Sequence, residues 1–192
     1  MASLAPLLDL LPDERVRALV GARAPVAVPE PALPFLLASI ARHLKSPVLA
    51  IVARSEEAET LANDVRAFLG PAGAEVFPGW EVLPGEPVSP SVESMGRRLQ
   101  VLYRLTDGGA MVVVTTAQGA TQLVAPPSPD LGIVSLTPGL EISLEGLAAR
   151  LVEMGYERNY MVERRGELAL RGGILDFFSP GADRPVRAEF WG

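Results

Sequence analysis

Apolar and polar positions alternate along this chain in two rhythms, one of helices and one of strands. "LAPLLDLLPDERVRALVGA" (4–22) carries apolar residues at helical spacing, and Asp13–Glu14 after Pro12 suit a second helix start. "APVAVP" (24–29) reads as a short buried strand. "PALPFLLASIARHL" (31–44) is a helix with proline in its first turn, where the missing N–H costs nothing. "SPVLAIVA" (46–53) is an unbroken apolar run of strand length, the pattern of a parallel strand covered on both faces. "SEEAETLANDVRAFLG" (55–70) predicts a helix with Ser55 as N-cap, acids in the first turn and Gly70 beyond the end. "AEVFPGWEVLP" (74–84) is a strand ending in a turn, in which Phe77 and Trp80 read as core residues anchoring a loop or as an exposed aromatic contact. A further helix covers "SPSVESMGRRLQVLYRLTDGG" (89–109), and "AMVVVTTAQGATQLV" (110–124) supplies a third buried strand and a short helix. Such β-α alternation predicts a mainly parallel α/β sheet with helices on both faces.

The texture then changes. "APPSPDLG" (125–132) has the proline-rich, polar character of a domain boundary. After it come "IVSLTPGLEIS", a helix "LEGLAARLVEMGYE" (144–157), and short strands in "YMVERRGELALRG", "GILDFFSP" and "PVRAEFWG". The expected division is therefore an α/β domain over 1–127 and a smaller α+β domain over 128–192.

Composition narrows the chemistry. The net charge of −6 gives the chain as a whole little to gain from displacing counterions on nucleic acid. With no cysteine and one histidine, His43, there is no disulfide, no thiol nucleophile and no His-based metal cage within the chain. His43, near a helix end, is expected to cap that helix or face solvent. No basic n-region precedes an apolar run at the start, so a cytoplasmic setting is expected.

Expected catalytic motifs are missing too. A phosphate loop needs glycines to turn backbone N–H groups toward phosphate and a lysine to meet its charge. The corresponding stretch here, "AVPEPALPFLL", has neither and carries Glu30, while the one lysine, Lys45, lies at the far end of the helix. The sequence thus predicts an α/β fold with a degenerate phosphate loop, no cofactor and no catalytic residue. "VESMG" has only half of a nucleophile elbow, and carboxylate pairs such as Glu56–Glu57 are explained by the helix dipole.

The closing segment is read by strand alternation. In "PVRAEFWG", Val186, Ala188 and Phe190 fall on one face, and Arg187, Glu189 and Trp191 on the other. In "GELALRG", Leu168 and Leu170 point inward; Glu167, Ala169 and Arg171 point outward. "RGG" is expected to bend or bulge the strand. The outer face then carries Arg171, Arg187 and Trp191. Arginine and tryptophan are enriched where proteins grip one another, and they also stack on single-stranded nucleic acid. Alternatively, Trp191 packs locally and the arginines pair with Glu167, Glu189 or Asp183.

"FPGWEVLPGEPVSPSVESMGRRLQVLYRL" and "GYERNYMVERRGELALRGGILDFFSPGADRPVRAEFWG" closely resemble the N-terminal region of the bacterial transcription-repair coupling factors (Mfd), which is itself similar to the helicase subunit UvrB. The likeness runs from about residue 25 onward. It implies a helicase-type domain 1a whose phosphate loop has decayed, followed by a domain 2 that docks on UvrA. The family's two arginines and aromatic that contact UvrA fall on Arg171, Arg187 and Trp191. The resemblance further implies that the protein's own C-terminal domain can mask that face. RNA polymerase and DNA would be engaged by downstream domains, with ATP-driven translocation there and none in this chain. On this reading the chain is a piece of a longer protein and a non-catalytic adaptor; the competing reading is a DNA-binding or autoinhibitory module.

Overall fold

A computed structural model describes residues 3–22, 25–82, 87–107, 111–124 and 134–191. Two compact units emerge, Met1–Glu86 with Val101–Ala125, and Pro87–Gln100 with Pro126–Gly192. The proline-rich 125–132 stretch lies outside the described residues.

In the first unit a 3₁₀ segment (Ala5–Leu10) leads into α1 (Asp13–Gly21); α2 (Leu33–Leu44), β1 (Val48–Val52), α3 (Ser55–Leu69), β2 (Ala74–Phe77), the latter part of α4 (Val92–Asp107), β3 (Val112–Thr116) and α5 (Ala117–Thr121) follow. The three strands form a parallel sheet in the order β1-β3-β2, with Ala50 and Val76 both in register with Val114. Parallel strands of one sheet need helical crossovers, which α3 supplies between β1 and β2 and α4 between β2 and β3. On one face Val112, Val114, Ala74 and Val76 pack with Ala58, Ala62 and Val65 of α3 and Ala38 and Ala41 of α2. On the other, Phe77, Met111 and Val113 meet Val101, Leu102 and Leu105 of α4.

Four expectations change here. Residues 25–29 form no strand and are mostly exposed: with prolines at 25 and 29 and no paired neighbour, the valines alone do not make a ladder. The run "SPVLAIVA" is an edge strand covered on one face only, with Leu49 58% and Ile51 57% exposed; the strand buried on both faces is β3, whose central position does that. Ser55 is not the N-cap of α3. Arg54 holds that place, and Glu57 reaches back to accept from the Ala53 and Arg54 N–H groups at 3.2 and 3.3 Å. His43 neither caps its helix nor faces solvent: its Nδ1 lies 3.1 Å from the Asp13 carboxylate of α1, and its side chain is largely buried. Phe77 is buried and Trp80 half-buried, the loop being pinned by Gln122 and Gln118, which bond the Trp80 N–H and carbonyl at 2.7 and 3.0 Å.

The second unit contains the start of α4, α6 (Leu144–Glu153), β4 (Glu157–Arg158), β5 (Glu167–Arg171), β6 (Ile174–Phe177) and β7 (Val186–Glu189). Ser143 caps α6, accepting from the Gly146 N–H at 2.9 Å. The sheet runs β4-β5-β6-β7, parallel at its first pairing and antiparallel after. Leu147 and Leu151 of α6 pack with Tyr156, Leu168, Leu175 and Phe177 into a separate core. Arg165 fastens the start of α4 to this unit: it bonds the Ala182 carbonyl, lies over the Phe178 ring at 5.2 Å and approaches Glu93 at 3.5 Å.

The strand expected across 160–172 begins only at Glu167. Upstream, the Glu167 carboxylate accepts from the Glu163 and Arg164 N–H groups at 2.8 Å each, which ties the chain into a turn. Those backbone bonds, that of Glu163 foremost, hold the Glu167 carboxyl below its usual pKa. "RGG" is neither bend nor bulge but the two-residue loop of a β5–β6 hairpin, since Arg171 pairs with Ile174. Gly172 sits at φ +58°, a conformation such tight loops require.

Candidate functional site: the outer face of the second sheet

Antiparallel pairing aligns two rows of side chains across the outer face of β5, β6 and β7. Ala169, Asp176 and Arg187 make one row; Arg171, Ile174 and Glu189 make the next. The Phe190 N–H bonds to the Gly173 carbonyl at 2.9 Å, so the ladder continues past β7. Phe190 packs on the core, and Trp191, one residue on, is 87% exposed. The opposite face packs Leu168, Leu170, Leu175, Phe177 and Ala188 against the core, so alternation sets the face of each side chain; Ala169, expected to face outward, is nevertheless only 2% exposed.

Asp176 organises the charges. It occupies the strand between the two arginine-bearing strands and accepts from Arg187 Nε at 2.7 Å and Nη2 at 2.8 Å, a two-pronged pairing. The Arg187 hydrogen bonds, more than the charges of Arg187 and Arg171, hold its carboxyl below the usual aspartate pKa. Arg187 is in turn held more firmly protonated, chiefly by those same bonds.

Arg171 is held differently. Its Nη2 donates to the Tyr160 carbonyl at 2.8 Å, and its guanidinium lies over the Tyr160 ring at 4.8 Å. Among the described residues no carboxylate lies within ion-pair distance of it. Tyr160 is itself 89% exposed. Arg171 and Arg187 line one groove, with Asp176 between them. Trp191 follows Phe190 in the ladder and so falls on the same side of the sheet, and among the described residues no hydrogen bond or cation–π contact joins it to the two arginines.

The acids expected as alternative partners, Glu167, Glu189 and Asp183, do not pair with Arg171 or Arg187. Sequence reading missed Asp176 as a partner because pairing across strands depends on register. Tyr160 escapes it because the pattern of "YMVERRG" predicts strand where the chain turns. The adjacent Tyr-Met, immediately before a charged run, was the available signal.

The first unit has a groove where the end of β1 meets the start of α2 and α3, the position at which a phosphate loop would act. Glu30, Glu56, Glu57 and Asp64 line it. Its one cation, Arg54, is tied to Glu57 at 2.6 Å, and that bond keeps the Glu57 carboxyl below its usual pKa. The lining repels phosphate rather than attracting it. Among the described residues no group of acids and histidines has the arrangement of a metal site, and no helix is long and apolar enough to cross a membrane.

Residues 134–192 match the model of the UvrB interaction domain. Most of the chain is similar to proteins named transcription-repair-coupling factor. Identity is 44% over 171 residues for that of Mycobacterium tuberculosis (strain CDC 1551 / Oshkosh), covering 84% of this chain and 14% of the relative. It is 30% over 154 residues for that of Bacillus subtilis (strain 168), covering 80% and 13%. It is 29% over 157 residues for that of Escherichia coli (strain K12), covering 81% and 14%. The chain thus spans about one seventh of the length of the relatives it matches.

Proposed function

Since the chain is homologous to the transcription-repair-coupling factors and carries a UvrB interaction domain, we propose that it is a non-catalytic adaptor that binds UvrA and so recruits nucleotide excision repair to stalled RNA polymerase. The observation that carries this reading is the outward array of Arg171, Arg187 and Trp191 on the second sheet. Guanidinium groups orient a dock through paired bonds to carboxylates, and an indole adds buried area at small entropic cost. On this reading the division of labour follows residues 1–127 and 128–192: the first part is a scaffold that has lost triphosphate binding, and the second meets the partner. The acidic lining beside Glu30 supports the loss of nucleotide. The protein acts in the cytoplasm, where repair and transcription meet.

Co-purification with UvrA tests the assignment. Wild type retains UvrA, and Arg187→Glu, which also sets two carboxylates side by side at Asp176, loses it while keeping a wild-type circular dichroism spectrum. Equal retention by the two proteins would refute it.

A further inference from the structure

The N-terminal segment of the first unit is fastened differently from the sheet beneath it. Of residues 3–22, Leu8 and Val16 are the buried ones. Leu8 enters the cluster of Ala38 and Ala41 of α2 with Leu61, Ala62 and Val65 of α3. The other fastenings are polar and lie at the surface. The Leu4 N–H bonds to the Ala67 carbonyl at 2.9 Å. Arg42 of α2 donates to the Asp9 carboxylate at 2.8 Å, with the two side chains 45% and 76% exposed. His43 meets Asp13 at 3.1 Å. A 3₁₀ helix has three residues per turn, so Leu4, Leu7 and Leu10 fall in one row, and all three are exposed. Nine residues make up α1, and its N-cap, Pro12, offers no side-chain bond. A helix that short is marginal without packing. Residues 25–29, on the way to α2, hold no regular structure.

We propose that residues 4–21 form a strap that lifts off α2 and α3 while the sheet stays folded, held down in part by ion pairs that salt loosens. The acids of the strap, Asp9 and Asp13, meet the basic last turn of α2, Arg42 and His43. That complementarity fixes where the strap lands, and its exposure makes it sensitive to screening. The Debye length falls from about 10 Å at 0.1 M salt to about 3 Å at 1 M. β3 behaves in the opposite way: it is the central strand, with Val112 and Val114 fully buried, so its amides open only with the whole unit. Lifting the strap bares a groove with an apolar floor, Ala38, Ala41, Ala62 and Val65, and with Arg42 and His43 at its rim. An acidic, leucine-bearing segment suits that groove, and the strap is such a segment. Closed, it keeps the groove from other segments of like chemistry.

Hydrogen exchange of the full 192-residue chain, followed by mass spectrometry at about 0.1 M and about 1 M sodium chloride, tests the strap in wild type and in Asp9→Asn/Arg42→Gln. Amides of α1 are expected to be at least about tenfold less protected than those of β3. High salt should speed α1 exchange about two- to fivefold, the scale of an exposed ion pair, and leave β3 unchanged. The double variant, altered at two exposed side chains, should show the faster α1 exchange already at low salt and respond less to added salt. Equal protection of α1 and β3 would make the segment part of the cooperative core and overturn the proposal. Exchange in α1 that neither salt nor the double variant moves would overturn it too, since the ion pairs would then fasten nothing. So would a rise in α1 and β3 together, because the whole unit would be loosening.

Discussion

Arg187 and Asp176 face each other across β7 and β6 and share two hydrogen bonds, at 2.7 and 2.8 Å, on a sheet face turned to water. Half-exposed pairs of this kind add little to stability, because water screens them. Their effect here is to fix a guanidinium in place. A depressed carboxyl pKa means that the stabilisation is present above the unfolded value, near ~3.9 for aspartate, and is lost as pH falls through the folded value. The Asp176 carboxyl carbon, followed by NMR, should therefore titrate below the usual aspartate range. UvrA binding should owe no change to this pair between about pH 8 and pH 5. In Arg187→Ala the Asp176 titration should shift upward; an unchanged titration would dissociate the two groups.

Trp191 and Leu175 separate surface from core. Trp191→Ala removes a ring that is 87% exposed, so melting temperature should stay within the small range of surface substitutions, about 0.5 kcal/mol. Leu175→Ala empties a site that is fully buried against α6 and should cost about 2–5 kcal/mol. Thermal denaturation checks both. A large loss in Trp191→Ala would mean that the indole is structural.

Gly96 illustrates a limit of local propensity. An alanine in the middle of an exposed helix is worth about 1 kcal/mol over glycine. At Gly96 in α4, however, a Cβ would lie 2.4 Å from the Pro180 carbonyl carbon, which is backbone and cannot swing aside. Gly96→Ala should destabilise the second unit by about 1–3 kcal/mol, the usual cost of overpacking. Unfolding followed by chemical denaturation would show it; a stabilised variant would contradict the close approach.

Nucleotide affinity tests the first unit. Calorimetry with ATP and Mg²⁺ should give no saturable heat, because Glu30, Glu56, Glu57 and Asp64 line the groove and Arg54 is already engaged by Glu57. Saturable binding would contradict the account of that groove.

What the sequence revealed was what local chemistry decides. Helical spacing and terminal residues located α2, α3, α4 and α6. Alternation placed Leu168 and Phe190 inward and Arg187 and Trp191 outward, because a strand offers only two sides. What it could not reveal depended on neighbours. Whether "VLAIV" is covered on one face or two follows from β3, not β1, holding the centre of the sheet. That Arg187 takes Asp176, rather than Glu189 two residues along, follows from register. Tyr160 entered the site through a turn closed by Glu167, an arrangement without a simple period.

The central claim is that the outer face of β5–β7 holds UvrA. Its most direct test is the dissociation constant of the 192-residue chain for UvrA, measured for wild type and for Arg171→Ala/Arg187→Ala/Trp191→Ala. The account predicts saturable binding by wild type and a loss of at least about a hundredfold in the triple variant, in keeping with a cluster of anchor residues, with the melting temperature preserved. A triple variant that binds as tightly as wild type would contradict it.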